Sequence, residues 1–376
     1  MMRSGDDQND LKDKITRRGY HFVILWAAGI LLLYGISGYI GVRTLQGYKV
    51  ETEKFRQAWI ESTTTELGVR TPDIQIPSEA KPIEVLVGIY INRIGEFSIK
   101  EGGWSADFDI WFRWTGNGVK PGENFNVVNG QVDLREKKER YIRGGEQYER
   151  YHVKARLTKY FDLSRLPFSD EALTIQVEDD VHGAETLRYV ADESGSGINR
   201  LGIPQNLKIV KSLVTVKRHN YESGRGDPRL PFGTEDVHSR LIFAILGSAP
   251  SWGLFGMMFQ ALFASVAIAF IAFFIKPIHV DPRFGLGVGA FFAAIGNNIF
   301  VGTILPQAER VTLTGMVNGI GLVTIFLTLV QSAISLYILD TMDREMLRRF
   351  FDKISFVVFL IGYAVVNLML IFAARP

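Results

Sequence analysis

The sequence predicts an α+β membrane protein, in which an N-terminal transmembrane helix precedes an external antiparallel β-sandwich and a four-helix transmembrane bundle. Five stretches of the 376-residue chain contain no Lys, Arg, Asp or Glu, and each reaches the roughly 20 residues that a helix needs to cross a bilayer. Strand-like alternation of apolar and polar residues is concentrated between the first and second stretches. A fully soluble protein is therefore excluded. The uncharged stretches are 22–42, 253–275, 285–304, 315–339 and 354–373.

The first apolar stretch, 22–42, follows five basic residues in the segment 1–21. It is longer than the apolar core of a typical secretory signal, and no small-residue cleavage site follows it, so an uncleaved anchor is favoured over a signal peptide. Residues 1–21 are then a cytoplasmic segment. Residues 43–79 are expected to form a linker that is helical over 45–67.

Basic residues on the short connections predict the orientation in the membrane. The connections expected in the cytoplasm carry five Lys and Arg in 1–21, two in 276–284 and four in 340–353. The short external ones carry only Arg310 and Arg375. Because short cytoplasmic loops are enriched in basic residues, the N-terminus is expected in the cytoplasm and the C-terminus in the periplasm.

The external domain is predicted over 80–252, before the four spans of 253–376. Apolar residues alternate along four segments that are bounded by Gly, Pro, Asn and Asp clusters. This pattern is typical of an antiparallel sandwich. The four segments are 82–91, 104–114, 151–157 and 173–177.

Composition removes several functional classes. The absence of cysteine excludes disulfides and thiolate chemistry, and the net charge of +2 gives no support to nucleic-acid binding. No nucleophile, phosphate-loop or metalloprotease motif is present, so we expect no catalytic residue, cofactor or metal site. Glu178–Asp180 could bind calcium, although a solvated acidic turn is the favoured interpretation. His182 or His238 could sense pH, against a default of surface histidines.

Three patterns in sequence order resemble the pentameric ligand-gated (Cys-loop) ion channels of prokaryotic type. The segment 160–175 is similar to the family's loop between two strands, with Leu-Pro-Phe-Ser-Asp at 166–170 in place of Phe-Pro-Phe-Asp and without the flanking cysteines. Segment 83–114 is similar to the family's first two strands. Segment 281–306 looks like its pore helix. The resemblance covers about residues 80–376, leaves 22–42 without a counterpart, and lacks the family's arginine before the first channel helix.

The resemblance implies a homopentamer in a bacterial inner membrane that conducts small ions in response to an agonist, which could be a small molecule, a proton or a divalent cation. Stepping along 281–303 by three or four residues gives a candidate pore face, on which Phe292 and Ile299 would form hydrophobic gates. Asp281 would favour cations unless Arg283 neutralises it or pairs with it. The other interpretation of this face is small-residue helix packing. The candidate pore residues are Asp281, Gly285, Gly289, Phe292, Gly296, Ile299 and Thr303.

Two further sets of residues follow from the implied function. A coupling contact is expected between the 166–168 segment, with Asp170, and Leu305–Pro306. Aromatic side chains on loops could form a cage for a cationic agonist, although most such residues are core or rim residues. The ligand candidates are Trp111, Trp114, Tyr148, Tyr151 and Tyr221. The alternative function is a membrane-tethered periplasmic sensor or binding protein that does not conduct, and a secondary transporter ranks third because no inverted repeat is visible.

Overall fold

The structure of the protein, a computed structural model, divides into two compact units. The helical unit comprises Met1–Lys49, Leu163–Ser169 and Pro250–Pro376, and the strand unit comprises Val50–Asp162 and Asp170–Ala249. The described residues are 17–60, 81–159, 161–204, 208–221, 223–224, 236–248, 252–305, 310–340 and 344–375.

Among the described residues, five apolar helices are long enough to cross a membrane, as the uncharged stretches predicted. A short 3-10 turn, Ala272–Phe274, extends the second of them. The helices are α1 (Arg17–Ile60), α2 (Trp252–Ile271), α3 (Val280–Ile304), α4 (Leu313–Asp340) and α5 (Glu345–Ala374). The chain is thus a mixed α and β protein whose helices are compatible with a membrane location.

Helix α1 differs from its prediction. The sequence suggested an anchor over 22–42 and a separate helical stretch over 45–67, but one uninterrupted 44-residue helix covers Arg17–Ile60. No proline interrupts it, so nothing breaks the backbone hydrogen bonds at Arg43. The rest of the predicted linker, 61–79, lies outside the described residues.

Within the helical unit, α1 packs along α4 and α5. The Tyr34 hydroxyl is 2.8 Å from the Thr324 Oγ1 atom of α4, and both groups are buried. A Cβ atom added at Gly38 would lie 3.2 Å from the Val366 side chain of α5. Near the start of α1, the Trp26 ring lies 5.8 Å from that of Phe351. The N-terminal helix is therefore a packed member of this unit.

The strand unit contains two sheets. In the first the strand order is β4-β5-β2-β1-β7, with β8 also on β1, and in the second it is β3-β6-β10-β9. The strands are β1 (Ile83–Ser98), β2 (Gly103–Thr115), β3 (Phe125–Val127), β4 (Gly130–Arg143), β5 (Glu146–Thr158), β6 (Asp170–Asp179), β7 (Leu187–Ala191), β8 (Gly197–Ile198), β9 (Lys208–Tyr221) and β10 (Asp236–Ser248). A one-turn helix, Pro121–Asn124, precedes β3, and a 3-10 turn, Arg200–Gly202, follows β8.

The four predicted strands are present as β1, β2, β5 and β6. On β2, every second residue from Trp104 to Trp114 is buried, as the alternation indicated. Rings from the two sheets meet between them, with Phe112 of β2 at 5.2 Å from Phe125 of β3. The antiparallel expectation is wrong for β7 and β8, because both pair in parallel with β1.

Candidate functional site

Helix α3 has one buried and one exposed face within the helical unit. All seven candidate pore residues lie on the exposed face, where Phe292 and Ile299 are 67% and 65% exposed. Because large apolar side chains rarely stand exposed in a row on a folded chain, this face marks a contact with a bilayer, another subunit or a pore. The buried residues are Arg283, Gly287, Ala290, Ala294, Asn297 and Val301.

The glycines of α3 are also distributed between its buried face and its exposed face. A Cβ atom added at Gly285, Gly289 or Gly296 would meet nothing within 4 Å. One added at Gly287 would collide with the Leu329 side chain of α4. Gly287 thus allows close helix packing within the chain, whereas the other three leave open space on the exposed face.

Arg283 lies at the start of α3 and is completely buried. Its guanidinium donates to Asp352 Oδ1 of α5 at 3.1 Å, to Gln331 Oε1 of α4 at 3.3 Å and to the Ile275 carbonyl oxygen at 3.0 Å. Asp352 also accepts from Arg348 at 3.0 Å. A buried charge needs such partners, since desolvation of an unpaired one costs several kcal/mol.

The first turn of α3 therefore presents two charges on different faces. Asp281 is exposed with the candidate pore residues, whereas Arg283 points to α4 and α5. The suggestion that Arg283 pairs with Asp281 is wrong, because Asp352 is its ion-pair partner. The exposed face keeps the carboxylate without the neighbouring guanidinium.

Asn297 is a second polar residue of α3 that joins three helices. Its amide nitrogen donates to the Met258 carbonyl oxygen of α2 at 3.1 Å and to Asn318 Oδ1 of α4 at 3.2 Å. Asn298, the next residue, is exposed. Of the two neighbouring asparagines, Asn297 is therefore the one that bonds other helices.

The segment Leu163–Ser169 belongs to the helical unit, although the strands before and after it belong to the other unit. Phe168 is buried, and its ring lies 5.1 Å from Trp252 and 5.6 Å from Phe255 of α2. The Ser164 carbonyl oxygen accepts from the Leu313 backbone N–H at the start of α4, at 2.8 Å.

The remaining predicted coupling residues are only partly described. Leu166 is buried, its peptide bond to Pro167 is cis, and its carbonyl oxygen accepts from Thr314 Oγ1 at 3.4 Å. Leu305 ends α3 in an extended conformation. Pro306 and the side chain of Asp170 lie outside the described residues. The described contacts of this loop are therefore with α2 and the start of α4, which the sequence argument did not anticipate.

Two of the five ligand candidates are core residues. Trp114 is buried at the end of the inward face of β2. Tyr151 is also buried, and its hydroxyl donates to Glu149 Oε2 at 2.9 Å. The Arg135 guanidinium and the Lys137 ammonium lie over its ring, at 5.4 Å and 5.3 Å. The chain's own cations thus occupy the position that a cationic agonist would take.

The other three candidates are partly exposed. The Trp111 indole N–H donates to Asp192 Oδ2 at 3.1 Å, and Tyr148 stacks on Tyr141 at 4.8 Å. The Tyr221 hydroxyl donates to Glu178 Oε2 at 2.7 Å, and burial followed by this hydrogen bond raises the pKa of Tyr221 to about 12. Among the described residues, no ring contact joins two of the five candidates, so they do not form one aromatic cage within a single chain.

The interpretation of the acidic run 178–180 as a solvated turn is wrong for its first two residues, although Asp180 is exposed after the end of β6. Glu178 and Asp179 are buried, and Glu178 pairs with Arg240 of β10. His238, which was expected at the surface, is buried as well, with Nδ1 at 2.9 Å from the Asp179 carbonyl oxygen. Its other ring nitrogen lies 2.9 Å from an Asp236 carboxylate oxygen. In the described part of the chain no group of His, Asp and Glu is arranged to hold a metal ion.

No family model matches this chain, and none of the curated proteins matches it.

Proposed function

We propose that the protein is a subunit of an oligomeric, agonist-gated ion channel, most simply a homopentamer in a bacterial inner membrane. The observation that carries the proposal is the exposed face of α3. It combines open glycine positions, two exposed apolar side chains and a terminal carboxylate on a helix whose opposite face is already packed. A ring of such helices can line a water-filled path.

The ends of the helices support the proposed topology. Val23 of α1, Ile338 of α4 and Phe351 of α5 form one buried cluster, and the Arg283–Asp352 pair brings the start of α3 to α5. Arg17 begins α1, Lys276 precedes α3 and Arg344 precedes α5, so the described basic residues of the segments predicted to be cytoplasmic lie at this end. At the other end of the unit, Arg375 lies 4.7 Å over the Trp252 ring. The connections predicted to be cytoplasmic and those predicted to be periplasmic therefore adjoin opposite ends of the unit.

The residues of the exposed face have separate proposed roles. Gly285 and Gly289 keep the path wide near Asp281, which attracts cations. Phe292 and Ile299 form the apolar constrictions that stop ion flow when water leaves them. The segment Leu163–Ser169 carries movement to α2 and α4, because it packs on both and continues into strands on either side.

The test is ion-substitution recording of the purified full-length protein in planar bilayers. We expect currents that a Phe292→Ala substitution increases at rest, because it removes a ring from the exposed face. Phe291→Ala is the matched control, because the Phe291 ring is partly buried and lies on another side of the helix. Oligomer mass in detergent is measured for both variants.

Each outcome decides between the functions. Currents that Phe292→Ala increases and Phe291→Ala leaves unchanged support the channel and its gate. An oligomer that passes no current under any tested ligand or pH leaves the exposed face as a packing surface and favours a non-conducting sensor. Equal conduction by the wild type and Phe292→Ala removes Phe292 from the gate.

A further inference from the structure

We infer that Asp352, on the last helix, determines the ion selectivity of the proposed channel by holding Arg283 away from the ion path. The inference rests on the proposed function and assigns a positioning role to a residue outside the exposed face of α3. Its basis is the buried network that joins the start of α3 to α4 and α5.

The network holds Arg283 through every polar group of its side chain. In addition to Asp352, Gln331 and Ile275, the Ser332 hydroxyl accepts from Arg283 Nε at 3.2 Å. Gln331 in turn donates to Asp352 Oδ1 at 2.7 Å, which fixes the carboxylate. The Arg283 side chain is therefore stabilised in an orientation that points into the unit.

Asp352 is the carboxylate of a cluster that also contains Arg283 and Arg348. Its loss leaves two buried guanidinium groups without their shared anion, and a buried charge without a partner is displaced towards water. Arg283 lies in the first turn of α3, at the same helix end as the exposed Asp281, so a guanidinium released from the network reaches water at the mouth of the proposed ion path. One positive charge per subunit would then oppose the carboxylate ring and lower cation permeability.

The experiment measures reversal potentials of full-length protein in planar bilayers under a salt gradient. We expect Asp352→Asn to reduce the cation-to-anion permeability ratio by roughly tenfold or more, since one guanidinium per subunit joins the path. Removing the released arginine as well, in the double variant Arg283→Gln/Asp352→Asn, is expected to restore the wild-type ratio. Asp352→Glu keeps the charge and is expected to keep the ratio.

Glu345→Gln is the matched control. It removes a carboxylate from the first turn of the same helix, where Glu345 pairs with exposed Arg349 at 2.6 Å, lies 3.9 Å from Arg348 and does not pair with Arg283. If Asp352→Asn does not assemble, as judged by size-exclusion chromatography, Ser332→Ala and Gln331→Leu weaken the same hold on Arg283. These milder variants are expected to shift the ratio in the same direction by a smaller factor.

The outcomes separate this inference from the proposed function. A wild-type protein that carries no current overturns the proposed function and this inference together. Normal wild-type conduction with an unchanged ratio in Asp352→Asn, or in both milder variants, overturns the inference alone. It is also overturned if the double variant keeps the altered ratio, because the effect then does not pass through Arg283.

Discussion

Replacing Asn297 with leucine tests whether the buried face of α3 is held by polar contacts between helices. The substitution keeps a side chain of similar size but removes the amide that donates to Met258 of α2 and Asn318 of α4. Asn298→Leu is the matched control, because the neighbouring amide is exposed. The two variants have the same composition and differ only in which face of α3 loses an amide.

The expected cost follows from the two lost bonds. Interhelical hydrogen bonds in membrane proteins contribute about 0.6 kcal/mol on average and about 1.7 kcal/mol at most. Two of them give about 1–3 kcal/mol for Asn297→Leu. The Met258 carbonyl lies within a helix, so the main polar group left without its partner is Asn318 Oδ1. We expect Asn298→Leu to change stability by less than about 0.5 kcal/mol, as is usual for exposed positions.

The assay is thermal unfolding of the detergent-solubilised full-length protein, followed by circular dichroism. A loss of 1 kcal/mol corresponds to about 2–4 °C in a unit of this size, so Asn297→Leu should lower the midpoint by several degrees. Asn297→Leu/Asn318→Leu should cost less than the sum of the single variants, because the second change removes an orphaned group. Equal midpoints for Asn297→Leu and Asn298→Leu would refute the reasoning.

Two other predictions concern tyrosines. Tyr34→Phe removes the buried hydrogen bond between α1 and Thr324, so it should cost about 0.5–1.5 kcal/mol of stability and lower the thermal midpoint by a few degrees. Tyr39→Phe is the control, because Tyr39 is exposed and its substitution should leave the midpoint unchanged. Equal effects of the two substitutions would contradict the packing of α1. Burial and Glu178 raise the pKa of Tyr221 from 10 to about 12, so the native state keeps a proton that the unfolded state loses. The contribution of the Tyr221 side chain to stability is therefore present below pH 10 and lost between pH 10 and 12. In pH-dependent unfolding, Tyr221→Phe should lose less stability than the wild type across that range.

The predictable part of the fold was the part with a single dominant periodicity. Five uncharged stretches became five long helices, and the period-two pattern of Trp104–Trp114 became the buried face of β2. Strand β4 was not predicted, because it is an edge strand with charged residues on both faces and its sequence therefore shows no alternation of apolar and polar residues. The parallel pairing of β1 with β7 depends on two segments far apart in the chain, which local patterns do not report.

The candidate site was predictable only as a helix face. Counting by three or four residues selected seven positions of α3, and the structure exposes all seven while it buries the opposite side. The aromatic candidates were chosen by residue type and by an expected position on or beside loops, but all five lie within strands β2, β5 and β9. Residue type does not distinguish Trp114, whose side chain faces the core, from Trp111, which lies on the other side of the same strand.

For the two charges at the start of α3, helix geometry applied to the sequence would have been enough to exclude an ion pair between them. Residues two apart on a helix are separated by about 200°, so Asp281 and Arg283 cannot share a face or form an ion pair along the helix. The sequence therefore already required another partner for Arg283. It could not identify that partner, because Asp352 is 69 residues away and is brought to Arg283 only by the tertiary packing of the helices. Helix periodicity thus determines which charge faces the proposed path, whereas tertiary packing determines what neutralises the other one.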